Sequence, residues 1–199
     1  TDAHFRAHAY DINVRMREAG RHDLTALLVP QEIVLPPALG AHPPEEPAPA
    51  MEPLLVHEDD RVRVTAVLVR HAPVFPAFAY RFDTDSGSVV LSGDTAPCAN
   101  LVALARNADI LVHEVFDDGA VEDAGEESWE AQRRDHHLRT AHTPLGAVGR
   151  IAAEAGVERL VLTHFVPGDD TLPDEHWLKG VTDFDGEVVV GHDLLELAL

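Results

Sequence analysis

The sequence predicts a mixed α/β domain, on three grounds. The apolar, β-branched run Val89-Val90-Leu91 stops at Gly93, meets Asp94 at once, and gives way to a helical pattern from Asn100 to Asn107. Strand, tight turn, carboxylate, helix is how an α/β protein presents an acid at the C-terminal edge of its sheet. The same order recurs along the chain: strand-like runs end on His71, on His113-Glu114, on His164 and on His192-Asp193. Finally, 199 residues with 45% apolar and 25% charged side chains suffice for one globular core.

The elements follow in order. Ala3 to Glu18 reads as a helix, because Phe5, Ala9, Ile12 and Met16 fall near one face and Gly20 stops it. His4 and His8 share that helix and read as part of a solvated face. Leu24 to Val34 is apolar and predicts a strand with an irregularity at Pro30. Residues 36–53 hold seven prolines, which excludes a central strand or a helix interior. This Pro-rich loop serves equally as a lid, a substrate wall or a plain connection. Leu54 to His57 and Arg61 to Arg70 predict paired strands about a Glu58-Asp59-Asp60 turn, since Val62, Val64, Ala66 and Leu68 recur with period two. Pro73 to Phe82 is a further extended piece, and Asp85-Ser86-Gly87 turns into the Asp94 strand.

Beyond the Asn100–Asn107 helix, Ile110 to Val112 predicts a short strand ending on His113-Glu114. Residues 117–135 read as an acidic loop, with a helix about Trp129 to Leu138. Thr143 as cap and Pro144 at the first helical position open a helix that Gly156 closes. Arg159 to Thr163 predicts a strand ending on His164, Asp174 to Leu178 a short helix, and Glu187 to Val190 a last strand.

Composition narrows the function. The formal charge is −20, from 35 acids against 15 bases of which one is lysine, so a nucleic-acid backbone is disfavoured as partner. No apolar run reaches the roughly 18 residues of a membrane span. The single cysteine, Cys98, excludes an internal disulfide, reads as buried filler, and fits a reducing, cytoplasmic setting. Thirteen histidines are the unusual count, and histidine is the commonest metal ligand. Any one of these imidazoles alone reads as a hydrogen-bonded structural group, and Asp94 alone as a helix cap. Five strand ends gathered on one edge would instead offer nitrogen and carboxylate donors to zinc-like divalent ions, and a carboxylate can bridge two of them.

These residues carry a resemblance. Leu91-Ser92-Gly93-Asp94-Thr95, Val112-His113-Glu114, His142-Thr143 and Leu162-Thr163-His164-Phe165 resemble the later half of the metallo-β-lactamase fold, an αββα sandwich. The branch is the one holding ribonuclease Z and arylsulfatase-like and cyclic-phosphodiesterase-like hydrolases. His71, after Val67-Leu68-Val69-Arg70, resembles that branch's third histidine motif, and the resemblance covers about residues 54–199. It implies a metal-dependent hydrolase acting through a metal-bridging hydroxide. Two divalent ions, zinc first and manganese or iron as alternatives, would be held by His71, Asp94 and His164, with Asp94 between them. His142 would stabilise charge or protonate the leaving group, Glu114 would orient His142, and His113 would lie behind them. His192 and Asp193 are weaker candidates for supporting the site.

Two departures shape the expectation. The family's His-x-His-x-Asp-His motif, which precedes the others, has no match here. Residues 1–199 are therefore expected to be the later part of one such domain, with weak metal binding and no turnover by themselves. The open sheet face of a part-domain further predicts homo-oligomers. The basic arm of ribonuclease Z is also missing, since Ala72 to Leu91 is short and carries no basic cluster. The expected substrate is thus a small phosphate, sulfate or carboxylic ester. A ribonuclease Z-type endoribonuclease and a non-catalytic binding scaffold stand as alternatives, beside an α/β domain whose histidines are incidental.

Overall fold

The computed structural model describes residues 2–20, 22–42, 45–119, 129–168 and 171–199. The chain divides into two compact units, Thr1–Pro36 and Pro37–Leu199.

The first unit is helical, α1 (Asp2–Ala7) and α2 (Ala9–Glu18), with a break at His8 that the apolar spacing does not announce. No residue of α2 is buried. Leu24 to Val34 is not a strand, contrary to the sequence reading. Leu24–Leu27 forms a 3-10 turn whose entry is fixed by the Thr25 N–H donating to the Asp23 carboxylate at 2.9 Å, and the following residues pair with no strand. β propensity alone does not make a strand where no ladder partner lies alongside.

The second unit is built on a seven-stranded sheet: β1 (Leu54–Glu58), β2 (Arg63–Leu68), β3 (Phe78–Thr84), β4 (Gly87–Leu91), β5 (Ile110–Phe116), β6 (Arg159–Val166) and β7 (Glu187–Val190). They lie side by side in chain order. β1 to β4 are antiparallel, joined by short turns, whereas β4 to β7 are parallel, joined by helical crossovers. Those crossovers contain α3 (Ala99–Leu104), α4 (Trp129–Ala141) with α5 (Leu145–Ala155), and α6 (Asp174–Gly180).

One sheet face carries the core. Val67, Ala79, Val90, Leu111 and Leu160 meet Leu101 and Leu104 of α3, Val148 and Ile151 of α5, and Trp177 of α6. The apolar period of α5 explains its place, and Gly156 ends it at φ +69°, as expected for a left-handed cap. Thr143 does not cap this helix. Pro144 occupies that position, and the Thr143 hydroxyl donates instead to the Thr95 carbonyl at 2.6 Å. The opposite sheet face shows the cross-strand row Ala66, Tyr80, Leu91, Val112, Val161 and Val189. Leu91 there remains 39% exposed.

Within the Pro-rich stretch, Pro37–Leu39 is a 3-10 turn, and His42 bridges Glu46. The buried Asn100 amide ties its end to the sheet, donating to the Pro49 carbonyl at 2.9 Å and the Leu68 carbonyl at 3.0 Å. The acidic stretch read as a loop falls in part, at 120–128, outside the described residues. Among the described residues no helix is long and apolar enough to cross a membrane.

Candidate metal centre

The parallel strands deliver their C-terminal ends to one rim, and the chain there is bent by specific devices. After β4, Gly93 adopts φ +59°, and a Cβ on it would sit 2.6 Å from the Phe78 carbonyl oxygen. Only glycine fits this turn, which sets Asp94 on the rim. The turn is held to β5: the Ser92 N–H donates to the Val112 carbonyl at 2.9 Å, and the Glu114 N–H donates to the Ser92 hydroxyl at 3.1 Å.

β6 is not simply ended by His164. The strand runs on to Val166, and its register against β5 shifts so that Glu114 faces Thr163 while Val115 faces Phe165. His164 is the extra residue of this bulge, with φ +46°. A bulge re-aims the side chain it carries, and here it turns the imidazole towards Asp94, whose Oδ1 lies 3.7 Å from His164 Nδ1. β5 likewise continues past His113-Glu114 to Phe116, whose N–H donates to the Thr143 carbonyl at 3.0 Å.

His71 comes from the loop after β2. Its Nδ1–H donates to the Ala141 carbonyl at 3.0 Å, which fixes the tautomer and leaves Nε2 as a lone-pair donor. That Nε2 lies 3.9 Å from Asp94 Oδ2. Each oxygen of Asp94 therefore faces a different imidazole, at separations too long for hydrogen bonds.

Beside this trio sits a buried pair. His142 Nδ1–H donates to Glu114 Oε1 at 3.0 Å, and the Thr95 N–H donates to the same oxygen at 2.8 Å. Glu114 is 1% exposed, and its Oε2 has no partner among the described residues. Burial opposes a charge on His142, yet the hydrogen bond to Glu114, the charge of Glu114 and that of Asp94 outweigh it and hold its pKa above the ordinary value. His113 behaves in the opposite way. It is fully buried, donates through Nδ1 to the Glu114 carbonyl at 2.6 Å, and burial holds its pKa below the ordinary value. Its role is to fix the Glu114 backbone, and its Nε2 reaches no other described group.

The structure thus brings together His71, Asp94, Glu114, His142 and His164. It does not bring in His192, which pairs with Asp174 at 3.0 Å on an exposed surface, nor does Asp193 join the donor groups. One residue was missed. His137 of α4 places its ring 5.8 Å from that of His71 and 5.4 Å from that of His142, completing four imidazoles with His164. Burial, then the neighbouring His142 and His71, hold its pKa below the ordinary value. The signal was its place one turn before Ala141, at the end of a helix that leads directly into His142.

Two sets of side chains could hold an ion, with potential ligand atoms all within 4.8 Å of one another: His71, Asp94 and His142, and Glu114, His142 and His164. Imidazole nitrogen with carboxylate oxygen is a donor set suited to zinc, manganese or iron. The carbonyl-fixed tautomer of His71 and the unpartnered oxygen of Glu114 fit it further.

Residues 8–165 match the beta-lactamase superfamily domain, and the chain belongs to that family, with the metallo-β-lactamase fold. The match begins well upstream of the motifs that carry the resemblance in sequence. Among similar curated proteins, ribonuclease Z of Mycobacterium tuberculosis is 35% identical over 151 residues, covering 71% of this chain and 53% of that protein. Ribonuclease Z of Mycobacterium avium is 36% identical over 140 residues, covering 70% and 48%. The chain spans between about half and two thirds of the length of the curated relatives it matches. Among solved structures, the metallo-beta-lactamase fold protein YhfI of Bacillus subtilis superposes with a TM-score of 0.51 at 25% identity, covering 70% of this chain and 50% of that one.

Proposed function

We propose that this chain carries part of the active site of a metal-dependent hydrolase that cleaves a small phosphate, sulfate or carboxylic ester. The observation that carries this reading is Asp94, whose two oxygens face His71 Nε2 at 3.9 Å and His164 Nδ1 at 3.7 Å. In this reading His71, Asp94 and His164 hold two divalent ions, zinc first, with manganese and iron as alternatives of similar donor preference. Bound there, such ions would make a water acidic enough to serve as hydroxide near neutral pH and would neutralise charge on the substrate.

The chain's own acid–base work falls to His142. Glu114 accepts the Nδ1–H hydrogen bond, so Nε2 is the nitrogen free to meet substrate. The His142 pKa is held above the ordinary value, which favours the protonated ring that can bind developing negative charge or pass a proton to a leaving alkoxide. Glu114 is a positioning residue, locked by the Thr95 and Ser92 contacts.

A second reading, a ribonuclease Z-type endoribonuclease, is favoured by the names of the relatives. Against it stand the −20 charge and the lack of a basic cluster between Ala72 and Leu91. The cytoplasm is the compartment we assign, from the single buried Cys98, and the partly open sheet face favours self-association.

The test is hydrolysis of bis(p-nitrophenyl) phosphate, p-nitrophenyl sulfate, p-nitrophenyl acetate and precursor tRNA by the product of the whole reading frame, with zinc or manganese added. We expect turnover of at least one small ester, abolished by Asp94→Asn, and no specific cut in the tRNA. Specific tRNA cleavage at moderate salt would favour the second reading. Turnover of no ester and no RNA would favour a binding scaffold. The 199 residues alone are expected to be inactive, since no His-x-His-x-Asp-His motif adds ligands to His71, Asp94 and His164.

A further inference from the structure

A cleft of about 790 Å³ lies between α4 and the turn at residues 72–74, and nothing in the reading above uses it. Its walls include Arg70, Pro73, Trp129, Gln132, Arg133 and Thr140. Three features set it apart. It is cationic in a chain of net charge −20: Arg70 and Arg133 both line it, and neither pairs with a carboxylate among the described residues. It is aromatic: Arg133 Cζ stands 4.7 Å over the ring of Trp129, which is still 64% exposed and so has area left for a second planar group. It adjoins the donor set: His137 lines the cleft, and its ring is 5.8 Å from that of His71.

Resting on the hydrolase reading, we infer that this cleft binds the non-reacting part of the substrate, a mononucleotide-sized anionic ester bearing an aromatic ring. Trp129 stacks the ring, and Arg133 and Arg70 take the negative charge. The volume lies in the range of small-molecule sites. Two arginines in a cleft of this size suit one small anion. A polynucleotide needs a track of cations along its backbone, and the −20 charge opposes one.

Isothermal titration of the product of the whole reading frame in EDTA tests this without the metal centre. The probes are adenosine 5′-monophosphate, adenosine, ribose 5-phosphate and a short single-stranded RNA. The monophosphate is expected to bind at least tenfold more tightly than either of its halves. Trp129→Ala, Arg133→Glu and Arg70→Glu should each weaken it about tenfold or more, as expected for losing a stack or a charged hydrogen bond. Trp129→Phe and Arg133→Lys should restore most of the loss, and Arg150→Glu, at an exposed position of α5, should change nothing. Equal binding of ribose 5-phosphate, equal weakening by Arg150→Glu, or RNA affinity that climbs with length would overturn the inference. If the whole protein hydrolyses small esters but the monophosphate does not bind, the cleft assignment alone fails. If the monophosphate binds but no ester is turned over, the hydrolase reading alone fails.

Discussion

The two halves of the sheet differ in what they can offer a site. In the antiparallel half, β1 to β3, successive strands end on opposite edges, and only the loop after β2 brings a donor, His71, to the rim. In the parallel half, β4 to β7, every crossover returns the chain to the same edge. Asp94, Glu114 and His164 then come from the C-terminal parts of three strands or the turn just beyond, with His142 from the connection between two of them. The lesson is that topology sets how many ligands a rim can gather, while local devices, Gly93 and the His164 bulge, set where they point.

The contrast can be tested by weakening each half. Leu162 of β6 is fully buried in the core and Leu55 of β1 is 54% exposed. Leu162→Ala should cost roughly 2–5 kcal/mol, whereas Leu55→Ala should stay within about 0.5 kcal/mol. Urea denaturation of both variants decides this, and equal costs would mean that burial does not set the difference between these two positions. Gly93→Ala should cost roughly 2–4 kcal/mol, from the left-handed backbone and the clash with the Phe78 carbonyl. It should also shift the Asp94 and His71 resonances, because this turn leads from β4 to the rim.

A smaller effect separates the two histidines that flank Glu114. NMR titration of the metal-free protein should find His142 above its ordinary pKa of 6.5, and Glu114→Gln should bring it down below that value, because burial then acts with less opposition. The sign for stability follows. A histidine with a raised folded pKa contributes stability in full below about pH 6.5 and loses it as pH rises through the folded value. His113, held down by burial, works the other way, disfavouring the fold as pH falls below 6.5. The stability difference between wild type and Glu114→Gln should therefore shrink from pH 6 to pH 9. A difference that grows over that range would contradict the ion pair.

Much of this was readable in the sequence because the strands announce themselves. Period two in Arg61 to Arg70 places β2, and Gly93 followed by Asp94 places the first acid. The order of the motifs was enough to gather His71, Asp94, His142 and His164. What could not be read depends on contacts made across the chain. Leu24 to Val34 has the composition of a strand but no neighbour to pair with. Thr143 has the composition of a cap but finds the Thr95 carbonyl first. The run of β6 past His164 needs the register of β5 to be known. His137 belongs to no motif in the sequence, yet it reaches His71 and His142 through the position of α4 in space.

The central claim is that Asp94 stands between two metal-binding imidazoles. Crystals soaked in zinc and measured at the zinc absorption edge test it most directly. We expect anomalous density about 2.0–2.2 Å from an Asp94 carboxylate oxygen and from His71 Nε2 or a His164 ring nitrogen. Strong density elsewhere on the molecule, with none within bonding distance of Asp94, would contradict it.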